Sequence, residues 1–124
     1  MAPQLAAFFT TCVVEAIGAA LVVPLLRPSA IARLPTRLVA ALAAILGSVL
    51  THPLVWWLNQ HWALMGGWAL KVTVLEVAAA VVEAVAYRAL LGLPWGQAFI
   101  ASVAINALSF GVGLTLYAAG ALPT

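Results

Sequence analysis

Residues 38–58 read LVAALAAILGSVLTHPLVWWL. The run holds no Asp, Glu, Lys or Arg, and Ser48, Thr51 and His52 are the polar side chains that interrupt it. At about 1.5 Å of rise per residue, an α-helix of this length crosses the ~30 Å hydrocarbon layer of a bilayer. A lone strand or coil would leave its amides and carbonyls unpaired in lipid. The stretch therefore reads as a transmembrane helix, with Pro53 expected to kink it near its far end.

Outward from this helix the same pattern recurs. Residues 5–26 form an apolar run closed by Arg27 and Pro28, residues 68–91 follow Gly66 and Gly67, and residues 97–119 follow the turn Gly92-Leu93-Pro94-Trp95-Gly96. Four spans with short connections use nearly all of the 124 residues. The expected fold is all-α: a polytopic membrane protein with one transmembrane domain over residues 1–124, built as two helical hairpins. Composition agrees, since 6% of the chain is charged and 66% hydrophobic, where a soluble domain carries about a quarter charged residues. The same numbers exclude a disordered chain, a collagen and a coiled coil. Five basic residues scattered along the chain build no basic patch, so no nucleic-acid partner is expected. The first segment lacks a basic flank and is interrupted by Glu15, so it reads as a span and not as a cleaved leader. Cys12 stands alone and cannot form an intrachain disulfide, and no cofactor is indicated.

The basic residues orient the expected bundle. Arg27, Arg33, Arg37 and Arg88 fall at the end of loops 27–37 and 92–96, against Lys71 at the other end. The positive-inside rule makes those loops cytoplasmic and puts both termini outside a bacterial-type inner membrane. Trp56, Trp57, Trp62 and Trp68 gather around the outer loop and Trp95 marks the inner turn, as rings that favour the head-group layer should. His61 lies in the outer loop and reads as solvated.

The first and third segments echo each other. Val13-Val14-Glu15-Ala16 through Arg27 aligns without gaps with Val74-Leu75-Glu76-Val77 through Arg88, each placing a glutamate twelve residues before an arginine. Either the chain is two hairpins related by an axis along the membrane normal, or two Ala- and Val-rich helices match by chance.

Three acidic residues, Glu15, Glu76 and Glu83, fall within expected spans. A charged carboxyl near the bilayer centre costs about 2.5–3.5 kcal/mol on the insertion scale, and the third segment carries two. Counted back from the arginines, Glu15 and Glu76 sit ~18 Å up and His52 ~22 Å up, one shared layer. Glu83 and Asn106 lie nine residues either side of the 92–97 turn and should face each other ~14 Å up. Glu76, Ala80, Glu83 and Tyr87 share one helical face, and Ser102, Asn106, Ser109 and Gly113 another. Interhelical hydrogen bonds could explain one such carboxyl, at about 0.6 kcal/mol each. Ionisable residues inside a membrane otherwise mark ion or proton pathways.

The pattern is thus expected to bind and move a proton or small cation. Glu15 and Glu76 form an outer pair and Glu83 an inner site, with His52 and Asn106 beside them and Thr51, Tyr87, Ser102 and Ser109 in support. A variant converges Cys12, Glu15, His52 and Glu76 as S, O, N and O ligands for zinc, without CxxC or HExxH spacing. Partners are the lipid bilayer and either further copies of the chain or a larger membrane complex. The size and Glu15-Ala16-Ile17-Gly18 resemble the small multidrug resistance transporters, which implies a membrane-embedded carboxyl carrier, although paired glutamates on the third helix and Thr51-His52-Pro53 depart from that family. Glu83-Ala84-Val85-Ala86-Tyr87-Arg88 with Ser109-Phe110-Gly111 resembles glutamate-dependent CAAX-type intramembrane proteases, which implies an enzyme as one alternative. Here Ala84 replaces that motif's second glutamate and Leu114 stands where the family has histidine. The other alternative is a non-catalytic accessory or assembly subunit.

Overall fold

In the computed structural model, residues 2–26, 35–62 and 67–122 are described. Four α-helices account for most of them: α1 (Ala2–Val22), α2 (Thr36–His61), α3 (Gly67–Leu91) and α4 (Trp95–Ala118). A tighter 3-10 turn over Val23–Leu26 extends α1, beginning where Pro24 removes an N–H from the helical ladder. Helix α2 starts directly after Pro35 and runs unbroken past Pro53 to His61. Arg27, Pro28, Arg33 and Gly66 lie outside the described residues.

The connection between α3 and α4 is shorter than the expected five-residue turn. Trp95 and Gly96 are already helical, with Pro94 just before the first helical residue. A proline there loses no hydrogen bond, and its φ of −56° is preset for the helix that follows. Gly92 takes φ +64° and donates its N–H to the Arg88 carbonyl at 3.0 Å, a left-handed cap that favours glycine. The Arg88 guanidinium donates to the Leu93 carbonyl at 2.9 Å and lies 5.1 Å from the centroid of the Trp95 ring, tying the two helix ends together.

The helices form a ring in which α1 packs on α2 and α4, and α3 packs on α2 and α4. Small residues line the contacts: Ala19 on α1, Ala40, Ala43 and Ala44 on α2, Ala84 on α3, Ala98 and Ala101 on α4. They let backbones approach closely, the usual basis of helix association where no water drives it. With Val23, Tyr87, Leu91, Leu93 and Ile105 they make one apolar core, confined to the half of the bundle that holds Arg37 and Arg88.

Large apolar side chains face the other way. On α1 and the turn that extends it, Leu5, Phe9, Val13, Ile17, Leu21 and Leu25 recur every four residues, and each is more than half exposed. Small and polar groups inside, with branched and aromatic groups outside, invert the pattern of a water-soluble bundle. The residues Gln4–Leu26, α2 and α4 are each long and apolar enough to cross a membrane. In α3 every 18-residue stretch contains at least three of Lys71, Glu76, Glu83 and Arg88, which sets it apart from the other three.

Candidate functional site

The half of the bundle opposite the apolar core is hollow. A partly open cavity of about 300 Å³ descends from Ala7, Val55, Tyr117 and Leu122, near the chain termini, to Glu83 and Asn106. Glu15, Glu76, Glu83, Ser48, Thr51, His52, Asn106 and Ser109 all line it, so every helix contributes polar groups. The three carboxyls are near enough to one another to interact electrostatically.

Glu15, 2% exposed, is bonded to the Ser48 hydroxyl of α2. Ser109 of α4 lines the same cavity beside it. Ser48 Oγ lies 3.1 Å from the Ala44 carbonyl as well, yet it has one proton for two acceptors. Both contacts are satisfied together when Glu15 carries a proton and donates it to Ser48 Oγ, leaving the Ser48 proton for Ala44. The arrangement is thus one that a neutral carboxyl completes.

Glu83, 1% exposed, is held from α4 by Asn106, whose Nδ2 donates to its carboxylate and also to the Ser102 carbonyl at 2.9 Å. An amide nitrogen has two protons, so both bonds coexist. The Ser102 hydroxyl donates across the same interface to the Ala80 carbonyl at 2.6 Å. On the opposite side α2 passes so close that a Cβ on Gly47 would stand 2.5 Å from Glu83 Cγ. Gly47 therefore makes room for the carboxyl's stem. The Thr51 hydroxyl is spent on the Gly47 carbonyl at 2.9 Å, and its side chain forms cavity wall.

Glu76 differs from both. It is half-buried and makes no side-chain hydrogen bond among the described residues. Besides the main cavity it borders an apolar groove between α3 and α4, lined by Val77, Val81, Phe99, Val103 and Phe110. His52 accepts from the indole N–H of Trp56 at 3.0 Å through Nε2, which leaves its ring proton on Nδ1, and its ring centroid lies 5.0 Å from that of Phe8.

The structure thus brings Glu83 and Asn106 into direct contact and places Glu15, Glu76 and His52 around one cavity, while Glu15 bonds to Ser48 and not to Glu76. Among the described residues, no three His, Cys, Asp or Glu side chains form a group that could hold a metal ion, Cys12, Glu15, His52 and Glu76 included. His52 Nε2 accepts from Trp56 and one Glu15 carboxylate oxygen is bonded to Ser48. Ser48 and Gly47 are the site residues that sequence reasoning left unassigned. Ser48, Thr51 and His52 recur at i, i+3, i+4, which marks one face of α2 and was the available signal for Ser48.

Tyr87 sits below the cavity, one turn after Glu83 and wholly buried in the apolar core. Its hydroxyl has no hydrogen-bond partner among the described residues. Leaving a buried donor unpaired costs about 1–3 kcal/mol. Comparison of the chain with protein-family models, curated proteins and solved structures finds no match.

Proposed function

We propose that this chain is a membrane carrier for protons or a small cation, with the carboxyl-lined cavity as its binding site. The observation that carries the reading is the cavity itself: three glutamates from two helices around about 300 Å³, open at one end of the bundle and closed at the other by an apolar core. A carrier needs a site reached from one side at a time, and a half-open bundle with its ionisable groups at the boundary has that form. Glu76, without a side-chain hydrogen bond among the described residues, is the carboxyl that engages the ion, and Glu15 and Glu83 line the same cavity with Ser48, Ser109 and Asn106 as neutral ligands. Thr51, Ser102 and His52 support the walls.

In this reading α3 is a fourth span, held in place by its neighbours, and the helices form two hairpins across a bacterial-type inner membrane. Both termini lie outside and the ends marked by Arg37 and Arg88 lie in the cytoplasm. Copies of the chain associate, because four helices enclose a narrow interior. Reconstituted vesicles test the function: wild-type protein dissipates an imposed pH gradient, and Glu76→Gln does not. Full flux in Glu76→Gln vesicles would overturn the assignment. The groove between α3 and α4, bordered by Glu76, favours a second reading as an assembly subunit. Co-purification with one larger complex, together with no flux, supports that reading.

A further inference from the structure

We propose that Tyr87 is a positioning residue that receives the Glu83 carboxyl on the closed side of the cavity, so that Asn106 and Tyr87 serve as alternate hydrogen-bond donors to one acid. The inference rests on the transport reading above. Glu83 stands at the floor of the cavity, where Asn106 holds it from the open side. Tyr87 stands on the same face of α3, four residues on, within the apolar core that closes the bundle. Helical side chains lean toward the N-terminus of their helix, which tilts the Tyr87 ring toward the turn that carries Glu83. Its phenol is close enough to sense the charge of both Glu83 and Glu15.

Phenylalanine would fill the same apolar site without stranding a donor. The buried hydroxyl, which has no hydrogen-bond partner among the described residues, finds an acceptor if the Glu83 carboxyl rotates away from Asn106. The boundary between the hollow half and the packed half of the bundle runs between these two donors, so that rotation carries the acid from one side of the barrier to the other.

The proton balance is simple. On the open side the Glu83 carboxylate takes up one proton from the cavity, and its charge-assisted bond to Asn106 becomes an ordinary one. The neutral carboxyl then turns toward Tyr87. When the closed end opens, the proton leaves to water on that side, and the Tyr87 O–H donates to the carboxylate that remains. The phenol keeps its own proton throughout, so one proton enters and one leaves.

The test uses the full chain in vesicles and compares wild type with Tyr87→Phe. Expected is a flux lower by about tenfold or more, the rate equivalent of one lost hydrogen bond to a charged group. Carbodiimide labelling of Glu83 from the open side should be unchanged, and the melting temperature should not fall, because phenylalanine strands no donor. Wild-type flux with an equal flux in Tyr87→Phe overturns the inference and leaves the transport reading standing. Loss of labelling together with flux also overturns it, since Tyr87 would then only support the fold. No flux in wild type overturns the transport reading itself. If Tyr87→Phe fails to fold, Tyr117→Phe leaves Tyr87 as the one tyrosine, and its phenol C–O vibration should shift toward a hydrogen-bonded donor under an imposed pH gradient. An unshifted band overturns the inference.

Discussion

Ser48 and Gly47 are adjacent on α2 and serve different carboxyls in different ways. Ser48→Ala removes the hydroxyl that α2 bonds to Glu15, a buried acid, at a cost of about 1–3 kcal/mol. Gly47→Ala drives a methyl against the stem of Glu83, and the acid must shift or the helices must part. Overpacking of this kind costs about 1–3 kcal/mol. Both variants should melt at lower temperature in mild detergent. Glu83→Ala should rescue Gly47→Ala by removing the clashing Cγ, and should not rescue Ser48→Ala. Rescue of both, or of neither, would show that the two residues do not act on separate acids. The glutamates themselves were conspicuous in the sequence because charge is rare in such a chain. Their partners were less so: a serine in an apolar helix looks like any other, and the need for glycine at position 47 exists only once α2 and α3 are packed.

At the scale of elements, the helices were legible because each is an apolar run with a break at either end, and the breaks are where the differences lie. The expected turn at 92–96 shortens because Pro94 acts as a helix starter and Trp95 is bound by Arg88 across the turn, a contact between residues whose proximity the turn itself creates. His61, expected in a solvated outer loop, is the last residue of α2, which continues through Asn59 and Gln60 to its cap at Trp62. They are exposed, and a polar end need not end a helix. Helix α3 is the element whose membrane insertion the sequence leaves in balance, since two glutamates at about 2.5–3.5 kcal/mol each roughly cancel the gain from its Val, Leu and Ala residues. Offered alone to an insertion machinery, this segment should insert in a minor fraction of molecules. Glu76→Leu with Glu83→Leu should bring it to near-complete insertion, read by glycosylation of tags on either side. Full insertion of the unaltered segment would mean that its acids are not costly and that α3 does not depend on α2 and α4 for its place.

For the whole molecule, the feature that no single helix announces is its division into a packed half and a hollow half. The sequence places alanines throughout, but the buried ones that meet in the core come from the end of α1, the start of α2, the end of α3 and the start of α4, which is one end of the ring. At the other end the interior positions carry Thr10, Thr11, Thr51, His52 and Gly113, groups that line a space without filling it. Sidedness of access follows directly, and thiol labelling can measure it. After Cys12→Ser removes the native thiol, single cysteines at Ala7, Val55 and Gly113 report from the cavity wall, and cysteines at Ala43 and Ala101 report from the core. A membrane-impermeant thiol reagent added on the side of the termini should label the first three and leave the last two untouched. The same reagent on the side of Arg37 and Arg88 should label none, because the core stands between that face and the cavity. Protonation of the acids at the boundary is the step expected to loosen that core. If so, an imposed pH gradient should slow labelling of the cavity positions and admit reagent to Ala101→Cys from the arginine side. Labelling that stays unchanged under the gradient would mean that the bundle has one open face and does not alternate.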